Sequence, residues 1–226
     1  MFSLCSIALD IRWQKWSLKS LHLQRYYDAL FDQLKTPIAL IPLVAIDLEM
    51  TGLNSKQDQI VSIAVVPIID GQIQLNQAKQ RLLRITGSVG QSATIHGLLD
   101  KDLDSALSLE EAIYWLLDEI QGKVIIAHHA PLDLSFIETA IEQVLHEKCK
   151  LFAIDTLQIE RQRLLRQQDH IQQGELRLGS VRHRYNLPIY NAHNALIDAL
   201  ACAELFLAQL SQLGDKQKIK VIELLK

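Results

Sequence analysis

An apolar segment that ends in two acidic residues places the tightest limit on how this chain folds. Residues 41–46 are apolar and predict a short buried strand, and Thr51 and Gly52 follow it as strand breakers. Asp47 and Glu49 occupy alternate positions, so both side chains project from the same face. A divalent cation such as Mg²⁺ or Mn²⁺ relieves the repulsion between two such carboxylates. Taken alone, the pair is a weak indication of a metal site, and a solvated strand end is the favoured interpretation.

Composition favours one domain with an appendage. The chain has 226 residues, 49% of them hydrophobic, and a formal charge of −3. These values exclude a disordered tail and a strongly basic nucleic-acid coat, so any nucleic acid is expected to bind a local groove. No apolar stretch reaches the roughly 20 residues of a membrane span, and the N-terminus lacks a signal-peptide pattern. Three widely spaced cysteines predict a cytoplasmic protein and no zinc site.

The first 37 residues predict a helical extension. One apolar stripe recurs there at helical spacing and consists of Leu23, Tyr27, Leu30 and Leu34. Trp13 and Trp16 lie among basic residues, which is compatible with a surface that stacks on bases or docks a partner. A helix packed on the domain with solvated lysines is the favoured interpretation.

The rest of the chain predicts a mixed α/β fold. An antiparallel meander is expected over strands 59–69, 72–75 and 80–85, with a hairpin turn at Asp70 and Gly71. Two further strands are expected at 123–127 and 152–156. Helices are expected over 108–120, from about 130 to 145, and over 157–166, 178–185, about 190–210 and 216–225.

Two more acidic residues stand where a carboxylate needs an explanation. Asp133 lies in the first turn of a predicted helix, where helix capping is the alternative role. Asp198 interrupts an apolar helical run and is costly to bury unpaired. Together with Asp47 and Glu49 they are enough to hold two divalent cations about 4 Å apart, an arrangement that stabilises in-line phosphoryl displacement. His193 is a candidate to take a proton from water, so the set indicates phosphodiester hydrolysis.

Three segments in order resemble the motifs of the DEDD exonucleases, in the histidine-bearing, proofreading-type (DnaQ-like) branch. Residues 47–52 resemble Asp-x-Glu-Thr-Thr-Gly, residues 128–133 resemble His-Asn-Ala-x-Phe-Asp, and residues 193–199 resemble His-x-Ala-x-x-Asp-Ala. Residues 95–98 and the pair Asp155-Thr156 also match family segments. The resemblance extends over roughly residues 40–210.

The resemblance implies a ribonuclease-H-like α/β fold with a mixed five-stranded sheet flanked by helices. The exonuclease domain would span residues 38–213, between the extension (1–37) and a C-terminal helix (214–226). Two Mg²⁺ or Mn²⁺ ions would be held by Asp47, Glu49, Asp133 and Asp198, with His193 as general base. Contacts to the terminal nucleotide would come from Leu48, Met50, Thr51 and His96. The implied reaction releases nucleoside 5′-monophosphates from the 3′ end of single-stranded or frayed DNA.

Several features leave alternatives open. His129 stands where the family has Asn, and Leu132 where it has Phe. The first motif also resembles its oligoribonuclease version, so short RNA is an alternative substrate. A catalytically vestigial nucleic-acid-binding, polymerase-accessory module is a third hypothesis. No polymerase domain is evident, so proofreading or repair would require a partner. The arginines of residues 161–184 either line a groove for phosphates or form a solvated face, and Cys149 and Cys202 are expected to be structural thiols.

Overall fold

The sheet is mixed and central in this computed structural model, which describes residues 4–87, 106–191 and 193–225. Within these ranges its strands are β1 (Leu43–Met50), β2 (Ile60–Ile69), β3 (Gln72–Ile73), β4 (Lys79–Leu82), β5 (Val124–Ala127) and β6 (Ala153–Asp155). The strand order is β3-β2-β1-β5-β6, and β4 also pairs with β2. A mixed sheet flanked by helices is therefore confirmed, with one short strand more than expected.

The helices cover both the core and the N-terminal extension. They are α1 (Leu4–Ser17), α2 (Leu21–Gln33), α3 (Leu109–Ile120), α4 (Ala130–Leu145), α5 (Thr156–Leu164), α6 (Leu178–Arg184), α7 (Ala195–Leu213) and α8 (Val221–Leu224). The helix expected over 216–225 is reduced to the single turn of α8. The expected start of α7 was too early, because the Asn194 side chain caps the helix by accepting the backbone N–H groups of Leu196 and Ile197 at 3.1 and 3.2 Å.

Strand β1 lies in the middle of the sheet. It pairs antiparallel with β2 along its whole length and parallel with β5 over Leu43–Ala45. The prediction placed the acidic pair at the end of this strand, before Thr51 and Gly52. The ladder does continue through Asp47 and Glu49, and its register shifts only between Glu49 and Met50. The acidic residues are therefore part of the sheet and share its fixed geometry.

The antiparallel half of the sheet differs from the predicted meander. Asp70 (φ 51°) and Gly71 (φ 70°) form the expected tight turn, with both residues in the left-handed region that such hairpins require. However, β3 pairs with β2 over only two residues. A 3₁₀ turn then carries the chain along the same edge, and β4 returns to pair with β2 rather than with β3. The predicted meander pairing was therefore wrong.

The N-terminal extension packs into the same core as the sheet. The whole predicted stripe of α2 is buried. The Tyr27 hydroxyl donates to the carbonyl of Lys150 at 2.8 Å, and the Tyr26 hydroxyl lies 3.2 Å from both the N–H and the carbonyl of Phe152. These contacts favour the packed-helix interpretation for α2. Trp13 and Trp16 on α1, by contrast, are exposed.

Within the described ranges, one helix has the length and apolar composition of a membrane span, namely α7 with a mean hydropathy of 1.4. Its buried face packs against β1 and β2, and its first turn carries Asp198. Packing against the sheet accounts for its apolar composition.

Replacing a buried residue of α2 should destabilise the whole domain. Leu30 is 2% exposed, so Leu30→Ala removes packing from the shared core and is expected to cost about 2–5 kcal/mol in urea unfolding. Leu21→Ala, at a residue of the same helix that is 63% exposed, should change stability by no more than about 0.5 kcal/mol. Equal effects of the two substitutions would show that α2 is not part of the core.

Candidate active site

Three carboxylates converge between β1 and α7. Asp47 and Glu49 project from one face of β1, as the alternation predicted, and Asp198 lies in the first turn of α7. One carboxylate oxygen from each lies within 4.8 Å of the other two. The strand ladder fixes the first two side chains and the capped start of α7 fixes the third. This acidic trio (Asp47, Glu49 and Asp198) could hold a metal ion.

A fourth carboxylate stands beside the acidic trio. Asp133 is buried in the first turn of α4, which begins directly after β5. Its charge adds to the rise that burial causes in the pKa of Asp47. Burial raises the pKa of Asp133 as well, and a hydrogen bond from the backbone of Leu48 offsets part of that rise. All four predicted acidic residues therefore gather at one end of the sheet.

Burial is the largest cause of a raised pKa at each of the four acids. It raises the pKa of Asp47, Asp133 and Asp198, and it raises that of Glu49 to about 7 with help from Asp198. At neutral pH, the protein alone does not stabilise four negative charges here. Oxygen donors that are enclosed and mutually repelling fit a hard divalent cation, and this donor set contains no sulfur.

His193 lies at the exposed rim of the site. It precedes α7 rather than belonging to the helix, and its backbone adopts a left-handed conformation with φ 69°. Its backbone N–H donates to Asp198 Oδ2 at 2.7 Å, and this bond offsets part of the rise that burial causes in the pKa of Asp198. The side chain is exposed, as a group that exchanges protons with solvent requires.

The structure explains why a histidine stands in the second motif where the family has Asn. His129 is the N-cap of α4 with φ 76°, a left-handed conformation in which Asn, Asp and His are enriched. In this conformation its backbone N–H donates to Asp155 Oδ1 at 3.0 Å. Asp155, whose place at a strand end matched the family, also caps α5 by accepting the N–H of Leu157 at 2.9 Å. Its charge raises the pKa of Asp133, a role that the sequence did not indicate.

The neighbouring His128 has a structural role. Its Nε2 donates to the carbonyl of Leu176, and its Nδ1 lies against the Thr156 hydroxyl, both at 2.8 Å. Burial lowers its pKa, which favours the neutral ring. His128 thus connects the end of β5 to the start of α5 and to the segment before α6.

The predicted nucleotide contacts are only partly described. Leu48 is buried, Met50 is half-buried, and His96 lies outside the described residues. Thr51 stabilises the turn after β1, since its N–H donates to the carbonyl of Gln59 and its hydroxyl accepts the N–H of Gln59, both at 2.9 Å. The contacts of these residues with substrate remain a prediction.

The predicted structural cysteines lie outside the acidic trio. Cys149 and Cys202 are free thiols, and burial raises the pKa of both, so both stay protonated near neutral pH. Cys202 lies on the buried face of α7, with its sulfur 3.8 Å from the Thr156 hydroxyl.

Comparison with known proteins assigns the family of the chain. The exonuclease family model RNase_T matches residues 44–206, a range that contains all four acidic residues and His193. The chain belongs to this exonuclease family. The resemblance to the DEDD 3′–5′ exonucleases is thereby confirmed, and with it the expectation of an enzyme.

Individual relatives agree with this assignment. A PolC-type DNA polymerase III from Thermotoga petrophila is 30% identical over 165 residues, which are 73% of this chain and 11% of the polymerase. The chain thus spans about a tenth of that relative's length. The nuclease domain of 3′hExo, a DEDDh family member bound to rAMP, matches with a TM-score of 0.64 and 12% identity over 79% of this chain and 95% of its own. Exonuclease X, in complex with 5′ overhanging duplex DNA, matches with a TM-score of 0.58 and 22% identity over 80% and 98%. These likenesses confirm the ribonuclease-H-like fold.

Removing metal should make stability depend on pH in a defined direction. A carboxyl group whose pKa is raised by folding stabilises the folded state at low pH, and this contribution is lost as pH rises through the folded pKa, about 7 for Glu49. In EDTA, Tm should therefore fall between about pH 5.5 and about pH 8, and Mg²⁺ should restore it.

The variant Glu49→Gln isolates this effect. It removes one repelling charge, so it should raise Tm in EDTA near pH 8 by about 2–4 °C and weaken the response to Mg²⁺. Glu110→Gln, at an exposed position of α3, is the matched control and should leave both unchanged. A Glu49→Gln protein that kept the native pH dependence would contradict the electrostatic account.

The positive φ at position 129 should determine which residue types this position tolerates. His129→Asn should alter unfolding free energy by less than about 0.5 kcal/mol, whereas the β-branched His129→Val should cost about 1–2 kcal/mol because of its positive φ. His170→Val, at an exposed residue without positive φ, is the control and should have little effect. Denaturant unfolding measures all three, and similar losses for Val at both positions would argue against backbone strain.

Proposed function

We propose that this chain is a metal-dependent 3′–5′ exonuclease that hydrolyses the terminal phosphodiester bonds of single-stranded or frayed DNA and releases nucleoside 5′-monophosphates. The convergence of Asp47, Glu49 and Asp198 within 4.8 Å, with Asp133 beside them, is the observation that carries the proposal. These four acids are the residues that the family motifs assign to metal.

The proposed cofactor is a pair of Mg²⁺ or Mn²⁺ ions held by the same four carboxylates. When bound, such ions stabilise the charge that develops on the attacking and leaving oxygens. The positive ions would also offset the repulsion between the carboxylates, which adds to the effect of burial in raising the pKa of Asp47. The donor set, all oxygen, supports this choice over zinc or copper.

The residues of the chain supply the proton transfer and the positioning. His193 accepts the proton of the attacking water, and its exposed position then lets it release that proton to solvent. The hydrogen bond from its backbone to Asp198 holds it beside the acidic trio. Leu48, Met50, Thr51 and His96 are the proposed contacts that orient the terminal nucleotide.

DNA is the proposed substrate because of the relatives. The Thermotoga relative is a DNA polymerase, and exonuclease X was captured with duplex DNA. Trimming of short RNA is the second candidate, supported by the structural neighbour bound to rAMP and by the first motif.

The likeness to part of a DNA polymerase supports a DNA polymerase or repair enzyme as a partner. The free thiols of Cys149 and Cys202 support a reducing cytoplasm as the compartment.

The first experiment is hydrolysis of 5′-labelled single-stranded DNA and its RNA counterpart with Mg²⁺, Mn²⁺ or EDTA. A ladder that shortens from the 3′ end only with metal is expected, and the ratio of the two rates identifies the substrate. Asp47→Asn or Asp198→Asn should lower turnover at least about 100-fold while folding is retained. His193→Gln should lower it about 10²–10⁴-fold, in the range of general-base catalysis.

The control substitution is Asp32→Asn, at an exposed carboxylate of α2 outside every motif, and it should leave turnover unchanged. A folded native protein that cleaved neither DNA nor RNA would overturn the proposal and favour a vestigial accessory module. Full activity in either aspartate variant would exclude the site.

A further inference from the structure

A cavity opens next to His129 of the second motif. It has a volume of about 690 Å³ and lies between the second motif, at His129, and the segment that precedes α6. Its walls include Leu157 and Arg161 from α5 and Arg177 from the N-cap of α6. None of these three residues was assigned a role in the hydrolysis.

The sheet places this cavity next to the candidate catalytic carboxylates. Strands β1, β5 and β6 are adjacent and parallel, so their carboxyl ends meet at one edge of the sheet. Glu49 lies at that end of β1, His129 follows β5, and α5 follows β6. Two strand spacings, about 10 Å, therefore separate the end of β1 from the end of β6, a distance that a few nucleotides of an extended strand cover.

The arginines of this region divide into two groups by their partners. Arg163 and Arg184 both pair with the buried Glu160, at 2.7 and 3.1 Å, and Arg182 pairs with Glu204 at 2.8 Å. These three stabilise the packing of α5, α6 and α7.

Arg161 and Arg177 form the other group. Both are exposed, both line the cavity, and within the described ranges neither guanidinium has an ion pair or a hydrogen bond. Two unpaired cations that face one cavity are free to bind an anion. Asp169, which also lines the cavity, is exposed and offsets only part of their charge.

We infer that this cavity binds the part of the substrate strand that precedes the scissile phosphate, with Arg161 and Arg177 contacting its phosphates. The inference rests on the proposed exonuclease function and adds a substrate subsite to it. The chain carries a net charge of −3 and four carboxylates at the site, so a polyanionic strand needs cationic contacts close by. Arg161 and Arg177 supply them at the edge of the sheet where the strand must pass.

The other walls of the cavity suit a nucleobase. Leu157, Leu165 and Leu176 offer apolar surface, and the exposed ring of His129 offers a flat face. Stacking on such groups is tolerant of sequence, as an enzyme that degrades any strand requires. In this arrangement the ring of His129 stacks on a base, in addition to the role of its backbone as the N-cap of α4.

The test is the double variant Arg161→Gln/Arg177→Gln, studied in the full chain. Its affinity for a single strand of roughly 12 nucleotides, with phosphorothioates at the 3′ end to slow cleavage, is measured by fluorescence anisotropy over a range of salt. Loss of two phosphate contacts should weaken binding about tenfold near physiological salt and reduce the slope of log K against log[salt] by about 1.4. Hydrolysis of the p-nitrophenyl ester of thymidine 5′-monophosphate, which fills only the terminal site, should stay within about twofold of the native rate.

A matched double variant controls for the general loss of positive charge. Arg25→Gln/Lys35→Gln removes the same charge from exposed basic residues of the N-terminal extension that lie outside this cavity, and it should leave both affinity and salt slope unchanged. The inference is overturned if the two double variants behave alike, or if the cavity variant loses ester hydrolysis in proportion to strand binding. A native protein that cleaves neither substrate defeats the proposed function alone, because the binding comparison between the two variants still decides the subsite.

Discussion

The cost of gathering four buried or half-buried carboxylates at one end of the sheet is the constraint on which the rest of the structure depends. Burial raises the pKa of every one of them, so their negative charge is unfavourable without a counterion. A fold tolerates this only where the surrounding scaffold is stable enough to hold the groups in place. The strand that carries Asp47 and Glu49 is accordingly the central one, paired on both sides and buried beneath α7.

Each carboxylate is carried by a strand or helix whose position is fixed by its own pairing and packing. The β1–β2 ladder fixes Asp47 and Glu49 and shifts register only beyond them. Asp133 follows β5 within the first turn of α4, and Asp198 occupies the first turn of α7. The first turn of a helix offers free N–H groups and a positive dipole end, so two acids are held where the backbone favours negative charge. The N-terminal helices extend the same core.

The sequence predicted the elements better than their ends, and the acids better than their supports. Periodicity located β1, β5 and α4 because each is a simple apolar pattern. Periodicity placed the start of α7 too early, because it does not reveal that the Asn194 side chain caps the N-terminus of the helix through hydrogen bonds. The predicted pairing of β3 with β4 was also wrong, because both strands pair with β2. The sequence is compatible with either pairing, and only three-dimensional packing selects between them. The grouping of the acids followed from their chemistry, but Asp155 and the division of the arginines depend on contacts that only the fold creates.

Backbone conformation links the two histidines of the motifs in a way that side-chain chemistry alone does not suggest. His129 and His193 both adopt positive φ, a conformation that costs most residues about 1–2 kcal/mol and His somewhat less. Each uses it to direct its backbone N–H at a carboxylate, Asp155 for His129 and Asp198 for His193. Those bonds hold one acid that adjoins Asp133 and one that belongs to the acidic trio. At each of these positions the backbone of the histidine therefore holds an acid, and the ring stays exposed and available for the proposed contact with a strand or the proposed proton transfer.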